Sequence, residues 1–373
     1  MRYYLIAGER SGDLHGGNLI KELKKQDGQA VFRGFGGGKM KEAGADLAVH
    51  YDNLAFMGFV TLIANYGTIR RMLKFCKEDI VQFNPDVVIL IDYGGFNRRI
   101  AKFTKQKKIK TFYYISPKVW AWYQSRAKEL RANIDRMFVI LPFEKAFYKT
   151  YNWDVDYVGN PVLDAVKAFQ PDAQFLQKHS LTSDRPIVAL LPGSRKMELQ
   201  RMVPVLADVV KRHPQFQFAV AAVDGVDSAL YEPLRKLAGV RFIEGDTYNL
   251  LNVSQAAVVT SGTATLETGL FKVPQVCVYR AGWLEMKIGR AVVMVKHISL
   301  INLIAGKHVI RELIQEEAHA TIISAELEKL VSDRNYREGL IRDYEDIYSL
   351  LDIGSASENT AKLMVGYLRQ YPT

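Results

Sequence analysis

The sequence predicts an α/β protein built from two doubly wound domains with a cleft between them and a helical C-terminus. Short apolar runs alternate with amphipathic stretches along most of the 373 residues, which is typical of parallel strands covered by helices on both faces. The alternation stops at a polar stretch, residues 169–185, and then restarts. The length also favours two domains, because one domain typically takes roughly 100–200 residues. A single large sheet is the alternative.

Each apolar run predicts a strand, and each amphipathic stretch a helix. The first half gives strands at Tyr3–Ala7, Ala30–Phe35, Val87–Ile91, Thr111–Ile115, Arg136–Leu141 and Asp156–Gly159. Its helices are expected at Leu14–Lys25, Thr68–Phe83, Arg98–Lys107 and Glu144–Tyr151. The second half gives strands at Ile187–Leu191, Phe216–Ala222, Val240–Ile243, Ala256–Thr260 and Gln275–Tyr279, and helices at Ala325–Val331, Tyr336–Leu350 and Ser357–Tyr371. We therefore expect domains at 1–168 and 169–350, with a final helix in 351–373 that crosses back to the first domain.

Composition narrows the class of protein. The 50 Lys and Arg residues exceed the 40 Asp and Glu residues by ten, which favours an anionic partner: a membrane surface, a phosphorylated substrate or nucleic acid. The two cysteines, Cys76 and Cys277, lie far apart and form neither a disulfide framework nor a zinc spacing, as expected in a reducing compartment. The sequence shows neither a signal-peptide core nor about 20 consecutive apolar residues, so we expect a soluble or membrane-surface protein.

A glycine-containing loop, residues 8–13, joins the first strand to a helix. Glycine lets a backbone approach a ligand closely, and free amides at a helix start attract anions. The spacing fits neither the dinucleotide-binding fingerprint nor the Walker loop. A tight connection in which Asp13 caps the helix is the alternative. The candidate binding residues are Gly8, Glu9, Ser11, Gly12 and Asp13.

Two further loops in the second half could handle phosphate. Ser194 and Arg195 follow a strand and offer backbone amides, a hydroxyl and a bidentate cation to a diphosphate. Ser261, Gly262 and Thr263 also join a strand to a helix, and Glu267 lies about one turn further on, where it could accept bonds from a ribose diol. The alternatives are Ser194 as a helix cap with Arg195 solvated, and Glu267 as a carboxylate near a helix start.

The carboxylates suggest one catalytic candidate. Asp92 ends the clear apolar strand at Val87–Ile91 and is followed by Tyr93, Gly94 and Gly95. A partly buried carboxylate there gains basicity by desolvation and suits a general base; bonding to loop amides is the alternative. The pair Asp154 and Asp156 resembles a metal-binding motif, but a surface strand edge is favoured because no third oxygen ligand follows nearby.

Two apolar segments carry large side chains beside basic ones. Phe56, Met57 and Phe59 lie in the first, and Trp120 and Trp122 in the second. The basic residues that lie near these two segments in sequence are Lys118, Arg126, Lys128, Arg131, Arg70, Arg71 and Lys74. An exposed apolar patch rimmed by cations would dock on an anionic bilayer or hold acyl chains, whereas core packing is the alternative.

Together these segments resemble the lipid-A-disaccharide synthase family. The similarity is collinear over nearly the whole chain: AGERSGDLHG, LAFMGFV, ILIDYGGFN, YYISPKVWAW, LPFEKAFY, YVGNPVLD, LLPGSR, SGTATLE and SLINLIAG. The resemblance implies two Rossmann-like domains of the glycosyltransferase B type, with the nucleotide held mostly by the second. It implies condensation of UDP-2,3-diacylglucosamine with 2,3-diacylglucosamine 1-phosphate to a β-1,6 disaccharide and UDP, in lipid A and lipopolysaccharide biosynthesis. It also implies a peripheral protein at the cytoplasmic face of the inner membrane, without metal, cofactor or nucleic acid, and leaves a homodimer open.

Residue by residue, the resemblance places the catalytic base on Asp92 and the diphosphate loop on Ser194 and Arg195. It adds Asn160 and Asn302 to the substrate-binding residues. Many members have histidine where Asn160 stands, and proline where Ile301 precedes Asn302. Three alternatives remain: a UDP-N-acetylglucosamine 2-epimerase, a transferase of N-acetylglucosamine to a muramyl lipid, and a two-domain ligand-binding protein of the periplasmic sort.

Overall fold

The computed structural model describes residues 1–53, 66–223, 225–282 and 295–370. Two compact units divide the chain: Met1–Pro161 with Asp352–Thr373, and Val162–Leu351. Each unit is an α/β structure around a parallel sheet, as the sequence predicts. The helix Pro161–Ala168, which the sequence analysis placed in the first domain, belongs to the second unit except for its first residue.

The first unit contains a seven-stranded sheet in the order β3-β2-β1-β4-β5-β6-β7, whose pairings are parallel. Its strands are β1 Arg2–Ala7, β2 Val31–Gly36, β3 Asp46–His50, β4 Val87–Ile91, β5 Thr111–Tyr114, β6 Arg136–Val139 and β7 Asp156–Tyr157. Its α-helices are Arg10–Gln26, Gly38–Glu42, Tyr66–Phe83, Gly94–Gln106, Arg126–Asn133, Pro142–Lys149 and Ala356–Gln370, and Tyr51–Asn53 is a 3₁₀ turn. The sequence analysis missed β3, an edge strand with a polar residue at each end.

Burial on both faces explains the continuous apolar runs of this sheet. Tyr3 and Leu5 of β1 pack on one face, in a cluster that includes Met364 of the last helix. Tyr4 and Ile6 point to the other face, in a cluster with residues of the helices Tyr66–Phe83 and Gly94–Gln106. The last helix therefore completes the core of the first unit, although it lies about 200 residues beyond β7 in the chain.

The second unit contains a six-stranded parallel sheet in the order β10-β9-β8-β11-β12-β13. Its strands are β8 Ile187–Leu191, β9 Gln217–Ala222, β10 Arg241–Glu244, β11 Ala256–Thr260, β12 Gln275–Tyr279 and β13 Glu312–Ile314. Besides Pro161–Ala168, its α-helices are Phe175–Lys178, Lys196–Arg212, Glu232–Arg235, Thr247–Val253, Thr263–Leu270, Leu300–Ala305, Ala320–Ser332 and Arg334–Leu351; Ser228–Tyr231 and Gln315–Glu317 are 3₁₀ turns. The sequence analysis missed β13, which has only three residues.

The strand orders give each sheet one topological switch point. It lies between β1 and β4 in the first sheet and between β8 and β11 in the second, where the order of the strands reverses. Doubly wound sheets bind ligands outside the carboxyl ends of the strands at such points. The loop at Gly8 follows β1 and Asp92 follows β4, while Ser194 follows β8 and Ser261 follows β11. All four sequence motifs therefore lie at switch points.

Candidate active site

Asp92 follows β4 in an unusual backbone conformation. Its φ is 43° and that of Tyr93 is 51°, so two consecutive residues other than glycine lie in the left-handed region. Such a conformation costs about 1–3 kcal/mol per residue and persists only where the surroundings enforce it. The amide of Asp92 donates to the carbonyl of Tyr114 at 3.1 Å. Its carbonyl accepts from Asn97 Nδ2 at 2.8 Å and from the Tyr113 hydroxyl.

The surroundings of Asp92 increase its basicity. Burial raises the pKa of its carboxyl to about 6, and the charge of Glu9 acts in the same direction. The ammonium of Lys118 and a hydrogen bond from the Tyr93 amide lower that pKa in part. A carboxylate with a pKa near 6 is a stronger base than an ordinary aspartate and is still ionised at neutral pH. This environment is the one that a general base requires.

Three of the five candidate residues in the glycine loop have close contacts within the protein. A Cβ on Gly8 would lie 2.4 Å from the ring of Tyr93, so the close approach there is made by this side chain. Gly12 is buried, and a Cβ there would lie 3.2 Å from the Cβ of Ala7. The carboxylate of Asp13 is buried and accepts bonds from three amides, those of Gly37, Lys39 and Met40, at 2.7, 2.9 and 3.0 Å.

Two residues of this loop remain exposed to a ligand. Glu9 and Ser11 are both exposed, and Ser11 Oγ donates to Glu9 Oε1 at 3.1 Å. Because the charge of Glu9 also affects Asp92, these two side chains lie on the same side of the sheet edge as the candidate base. Within this loop, substrate binding therefore stays a prediction for Glu9 and Ser11.

A buried carboxylate joins two of the segments that carry the family resemblance. Glu144, of the LPFEKAFY segment, is 1% exposed. Its Oε1 accepts from Ser116 Oγ at 2.8 Å and from Trp120 Nε1 at 3.1 Å, both in the SPKVWAW segment. Its Oε2 accepts from the amides of Ile140 and Leu141 at 3.2 and 3.0 Å. Burial raises the pKa of Glu144 to about 7 against these bonds. The two segments thus form one connection after β5 and β6, beside the strand that ends at Asp92.

The loop after β8 is corrected in its choice of donors. The amides of Ser194 and Arg195 donate to Glu198 Oε2 at 3.1 and 3.2 Å, so an internal carboxylate occupies the position expected for a phosphate. The Arg195 side chain is 83% exposed, and its Nη1 donates to Glu198 Oε1 at 3.1 Å. An exposed pair of this kind contributes only about 0–1 kcal/mol and exchanges easily. The guanidinium and the Ser194 hydroxyl are what this loop offers to an anion.

The loop after β11 keeps more of its expected donors. Gly262 precedes the helix Thr263–Leu270, and a Cβ on it would meet nothing within 4 Å. The leading amides of a helix have no partner within that helix, so this space adjoins hydrogen-bond donors. The amide of Ser261 instead donates to the Val278 carbonyl at 3.1 Å, and its hydroxyl donates to the Ile298 carbonyl at 2.7 Å. The half-buried Glu267 accepts from the Tyr248 hydroxyl at 3.1 Å, and burial raises the pKa of its carboxyl.

The two candidate asparagines have structural partners. Asn302 is 0% exposed; its Oδ1 accepts from the amides of Val309 and Ile310 at 2.8 and 2.9 Å. Its Nδ2 donates to the Ile310 carbonyl and to Glu312 Oε1, each at 2.9 Å. Both polar atoms of this side chain therefore have partners within the protein, and the expected contact with substrate stays a prediction. Asn160 is 2% exposed and its Nδ2 donates to the Ile140 carbonyl at 3.0 Å.

The two acids of the Asp154-Val155-Asp156 segment bind different neighbours. Asp154 forms an exposed ion pair with Lys149 at 2.7 Å. Asp156 accepts from the Tyr367 hydroxyl of the last helix at 3.1 Å. Among the described residues, no group of three or more His, Cys, Asp or Glu side chains has the geometry of a metal site. The segment therefore helps to attach the last helix to the edge of the first sheet.

The two candidate tryptophans differ sharply in exposure. Trp120 is 4% exposed, donates to Glu144, and packs edge-on against Phe143 with ring centroids 5.0 Å apart. Its assignment to an acyl or membrane surface is corrected, because it is a core residue. Trp122 and Tyr123 are 48% and 51% exposed, and the Arg126 guanidinium lies 4.3 Å from the Tyr123 ring centroid. Phe56, Met57 and Phe59 lie outside the described residues.

Several residues that shape the site carry no sequence signal of their own. Asn97, Glu144 and Glu198 all bind backbone amides or carbonyls just after the carboxyl end of a strand. Each lies in the first turn of the helix that follows that strand. This position is the feature that could have singled them out in the sequence.

A protein-family model described as lipid-A-disaccharide synthetase matches residues 3–362. The chain belongs to this family. It is 35% identical to the lipid-A-disaccharide synthase of Geobacter metallireducens, over 98% of this chain and 97% of the relative. It is 34% identical to the enzyme of that name from Coxiella burnetii, over 96% of each chain. A lipid-A-disaccharide synthase is a glycosyltransferase of lipid A biosynthesis, and that is the class of this enzyme.

Solved structures agree with the fold. A UDP-GlcNAc 2-epimerase from Neisseria meningitidis, bound to UDP-GlcNAc, superposes with a TM-score of 0.69 at 13% identity and covers 100% of both chains. The glycotransferase of kitacinnamycin gives a TM-score of 0.66 at 14% identity and covers 100% of this chain and 99% of its own. These similarities confirm two Rossmann-like units of the glycosyltransferase B type. In the part of the chain that the structure describes, no helix is long and apolar enough to span a bilayer.

Proposed function

We propose that this lipid-A-disaccharide synthase family member condenses UDP-2,3-diacylglucosamine with 2,3-diacylglucosamine 1-phosphate by an inverting, single displacement. The observation that carries the proposal is the state of Asp92. It stands at the switch point of the first sheet, in an enforced backbone conformation, and burial raises its pKa to about 6. A transferase that uses a sugar hydroxyl as nucleophile needs such a base, because a hydroxyl attacks poorly until its proton is removed.

The proposed step balances with one proton transfer. The 6-hydroxyl oxygen of the acceptor attacks the anomeric carbon of the donor from the face opposite UDP, and its proton passes to the Asp92 carboxylate. The bond between the anomeric carbon and the β-phosphate oxygen breaks, and UDP leaves with that electron pair. The new bond is a β-1,6 linkage with inverted configuration. The protonated Asp92 then returns its proton to solvent.

Groups of the second unit supply the charge stabilisation for the leaving UDP. The exposed guanidinium of Arg195 and the amides at the start of the helix Thr263–Leu270 are donors suited to a diphosphate. Their effect is largest where negative charge develops on the leaving oxygen. Glu267, which accepts a hydrogen bond from Tyr248 one turn into that helix, would accept a hydrogen bond from a ribose hydroxyl.

We further propose that the first unit meets an anionic membrane surface through its exposed aromatic side chains. Trp122 and Tyr123 stand out of the protein surface, and the exposed Lys118, Arg126 and Lys128 lie close to them in sequence. Aromatic rings that carry a polar group favour the membrane–water boundary, and each nearby Lys or Arg adds about 1 kcal/mol of attraction to anionic lipid. This surface would bring the enzyme to its acylated substrates at the inner face of the cytoplasmic membrane.

Replacing the candidate base tests the proposed mechanism. We expect Asp92→Asn to lower the transfer rate by about 10²–10⁴-fold, the usual range for the loss of a general base. UDP binding, measured by calorimetry on the same preparation, should stay within twofold, because the nucleotide groups lie in the second unit. A transfer rate within about threefold of wild type would rule out Asp92 as the base.

A further inference from the structure

Asn97 lies fully buried in the helix Gly94–Gln106, directly behind the candidate base. Its Nδ2 lies 2.8 Å from the Asp92 carbonyl oxygen, 3.2 Å from that of Ile91 and 3.5 Å from that of Ile6. Ile6 lies near the end of β1, and Ile91 ends β4, so these are the two strands of the switch point. One amide group thus connects both strand ends with the residue that carries the base.

The backbone of Asp92 and Tyr93 needs such a connection. Two successive left-handed residues other than glycine are unfavourable by themselves and persist only where surrounding bonds enforce them. The Asp92 carbonyl receives two bonds, one from Asn97 and one from the hydroxyl of Tyr113 on the neighbouring strand β5. Both donors are fully buried, so water does not readily replace them.

We propose that Asn97, together with Tyr113, is a positioning residue that fixes the direction of the Asp92 carboxylate for proton transfer. This inference rests on the proposed function, because it has a catalytic meaning only if Asp92 is the base. Both side chains are fully buried, so we do not expect them to touch the substrate. They act on the backbone of Asp92, and a carboxylate displaced by about 1 Å from its productive position can lose as much as 10²-fold in rate.

A purely structural role is the competing explanation, and the two roles predict different measurements. A positioning residue changes kcat while the folded protein binds its substrates normally. A structural residue lowers the melting temperature, and the fraction that remains folded works at the normal rate. Tyr113→Phe is the milder variant, because it removes one hydroxyl and keeps the ring in the core. Asn97→Ala is the stronger one. Thr104→Val is a matched control, since it removes a fully buried hydroxyl from the same helix. This hydroxyl donates to the carbonyls of Ile100 and Ala101 and accepts from Thr111 Oγ1.

The test measures kcat, KM for the acylated acceptor, UDP affinity and melting temperature for the three variants. We expect kcat to fall at least tenfold in Tyr113→Phe and further in Asn97→Ala, with KM and UDP affinity within twofold. Thr104→Val should keep wild-type kcat even if it melts earlier. If Asn97→Ala does not fold, Tyr113→Phe alone decides.

The pH dependence of kcat adds a measurement that would not change if Asn97 and Tyr113 had a purely structural role. The charged and titratable groups around Asp92 are Glu9, Lys118 and Tyr113. A carboxylate released from its fixed position reaches water, so the acidic limb of the kcat profile should move to lower pH in Tyr113→Phe. Unchanged kcat and an unchanged acidic limb in folded Tyr113→Phe would overturn the positioning role. If Asp92→Asn itself keeps the wild-type rate, the general-base assignment fails first; if Asp92→Asn is inactive while these variants keep kcat, the positioning role alone fails.

Discussion

At the scale of single residues, the role of a polar side chain depends on its hydrogen-bond partners in the folded protein. Asp92, Asp13 and Asn302 are all polar residues of segments shared with the family. In the structure, Asp13 accepts bonds from three amides and Asn302 has bonds on both its oxygen and its nitrogen. The sequence predicts the loops correctly but does not reveal these partners, because they come from residues 7–27 positions away. Asp92 is half-buried after β4, and burial raises the pKa of its carboxyl.

The pH dependence of the reaction should report this raised pKa. A general base works only when it is ionised, so activity is present above its pKa and is lost as the pH falls through it. With a pKa of about 6, kcat/KM should be level at pH 7.5 and fall tenfold for each unit below about pH 6. The measurement is an initial-rate profile from pH 4.5 to 8 with a stability check at each pH. An acidic limb centred near pH 4 would mean that Asp92 is an ordinary exposed carboxylate or is not the base.

Arg195 should matter to both binding and turnover. Its guanidinium is exposed and forms an ion pair with Glu198, so we expect Arg195→Ala to weaken UDP binding and to lower kcat together. Charge-assisted hydrogen bonds contribute about 1.5–3 kcal/mol each, which corresponds to roughly 10–150-fold. Calorimetry with UDP and a rate assay measure the two effects. Arg201→Ala, in the helix that begins directly after Arg195, is the control. Unchanged UDP affinity and an unchanged rate would mean that Arg195 is a solvated surface residue that does not bind UDP.

At the scale of elements, one connection explains two of the family's segments. SPKVWAW and LPFEKAFY meet at Glu144, whose four hydrogen bonds come from both. The sequence could show that these segments are specific to the family, but not that they share a buried carboxylate.

Two strands, β3 and β13, were not predicted from the sequence, for a simpler reason. Neither Asp46–His50 nor Glu312–Ile314 contains more than three consecutive apolar residues, and both pair at a sheet edge where one side needs no partner.

The tryptophans of the SPKVWAW segment give a matched pair of variants. Trp120→Ser empties a core site and removes a donor from buried Glu144, so it should cost about 3–5 kcal/mol and lower the melting temperature clearly. Trp122→Ser changes an exposed side chain and should stay within about 0.5 kcal/mol.

The same pair tests the membrane surface. Co-sedimentation with anionic vesicles should weaken for Trp122→Ser, and wild-type binding should fall with added salt because the neighbouring cations contribute to it. KM for the acylated acceptor should rise in parallel. Unchanged vesicle binding by Trp122→Ser would mean that the docking surface lies elsewhere. An unchanged melting temperature for Trp120→Ser would contradict its place in the core.

At the scale of the whole molecule, most of the architecture could be predicted because it rests on repeated burial. Strands such as Val87–Ile91 and Ile187–Leu191 were located to the residue, since they are buried on both faces and carry no polar interruption. The return of the last helix to the first unit depends on contacts between residues far apart in the chain, such as Tyr367 with Asp156. The sequence predicts that a final helix crosses back to the first domain, but local patterns do not identify the residues that this helix contacts there.

Release of UDP that depends on the acceptor would show that this family member joins two acylated sugars. The purified protein is incubated with UDP-2,3-diacylglucosamine, with and without 2,3-diacylglucosamine 1-phosphate, and UDP and the anomeric configuration of the product are followed. We predict UDP release only when the acceptor is present, in a one-to-one ratio with a β-1,6 disaccharide. UDP release or epimerisation at the same rate without acceptor, or an α-linked product, would contradict the proposed inverting transfer.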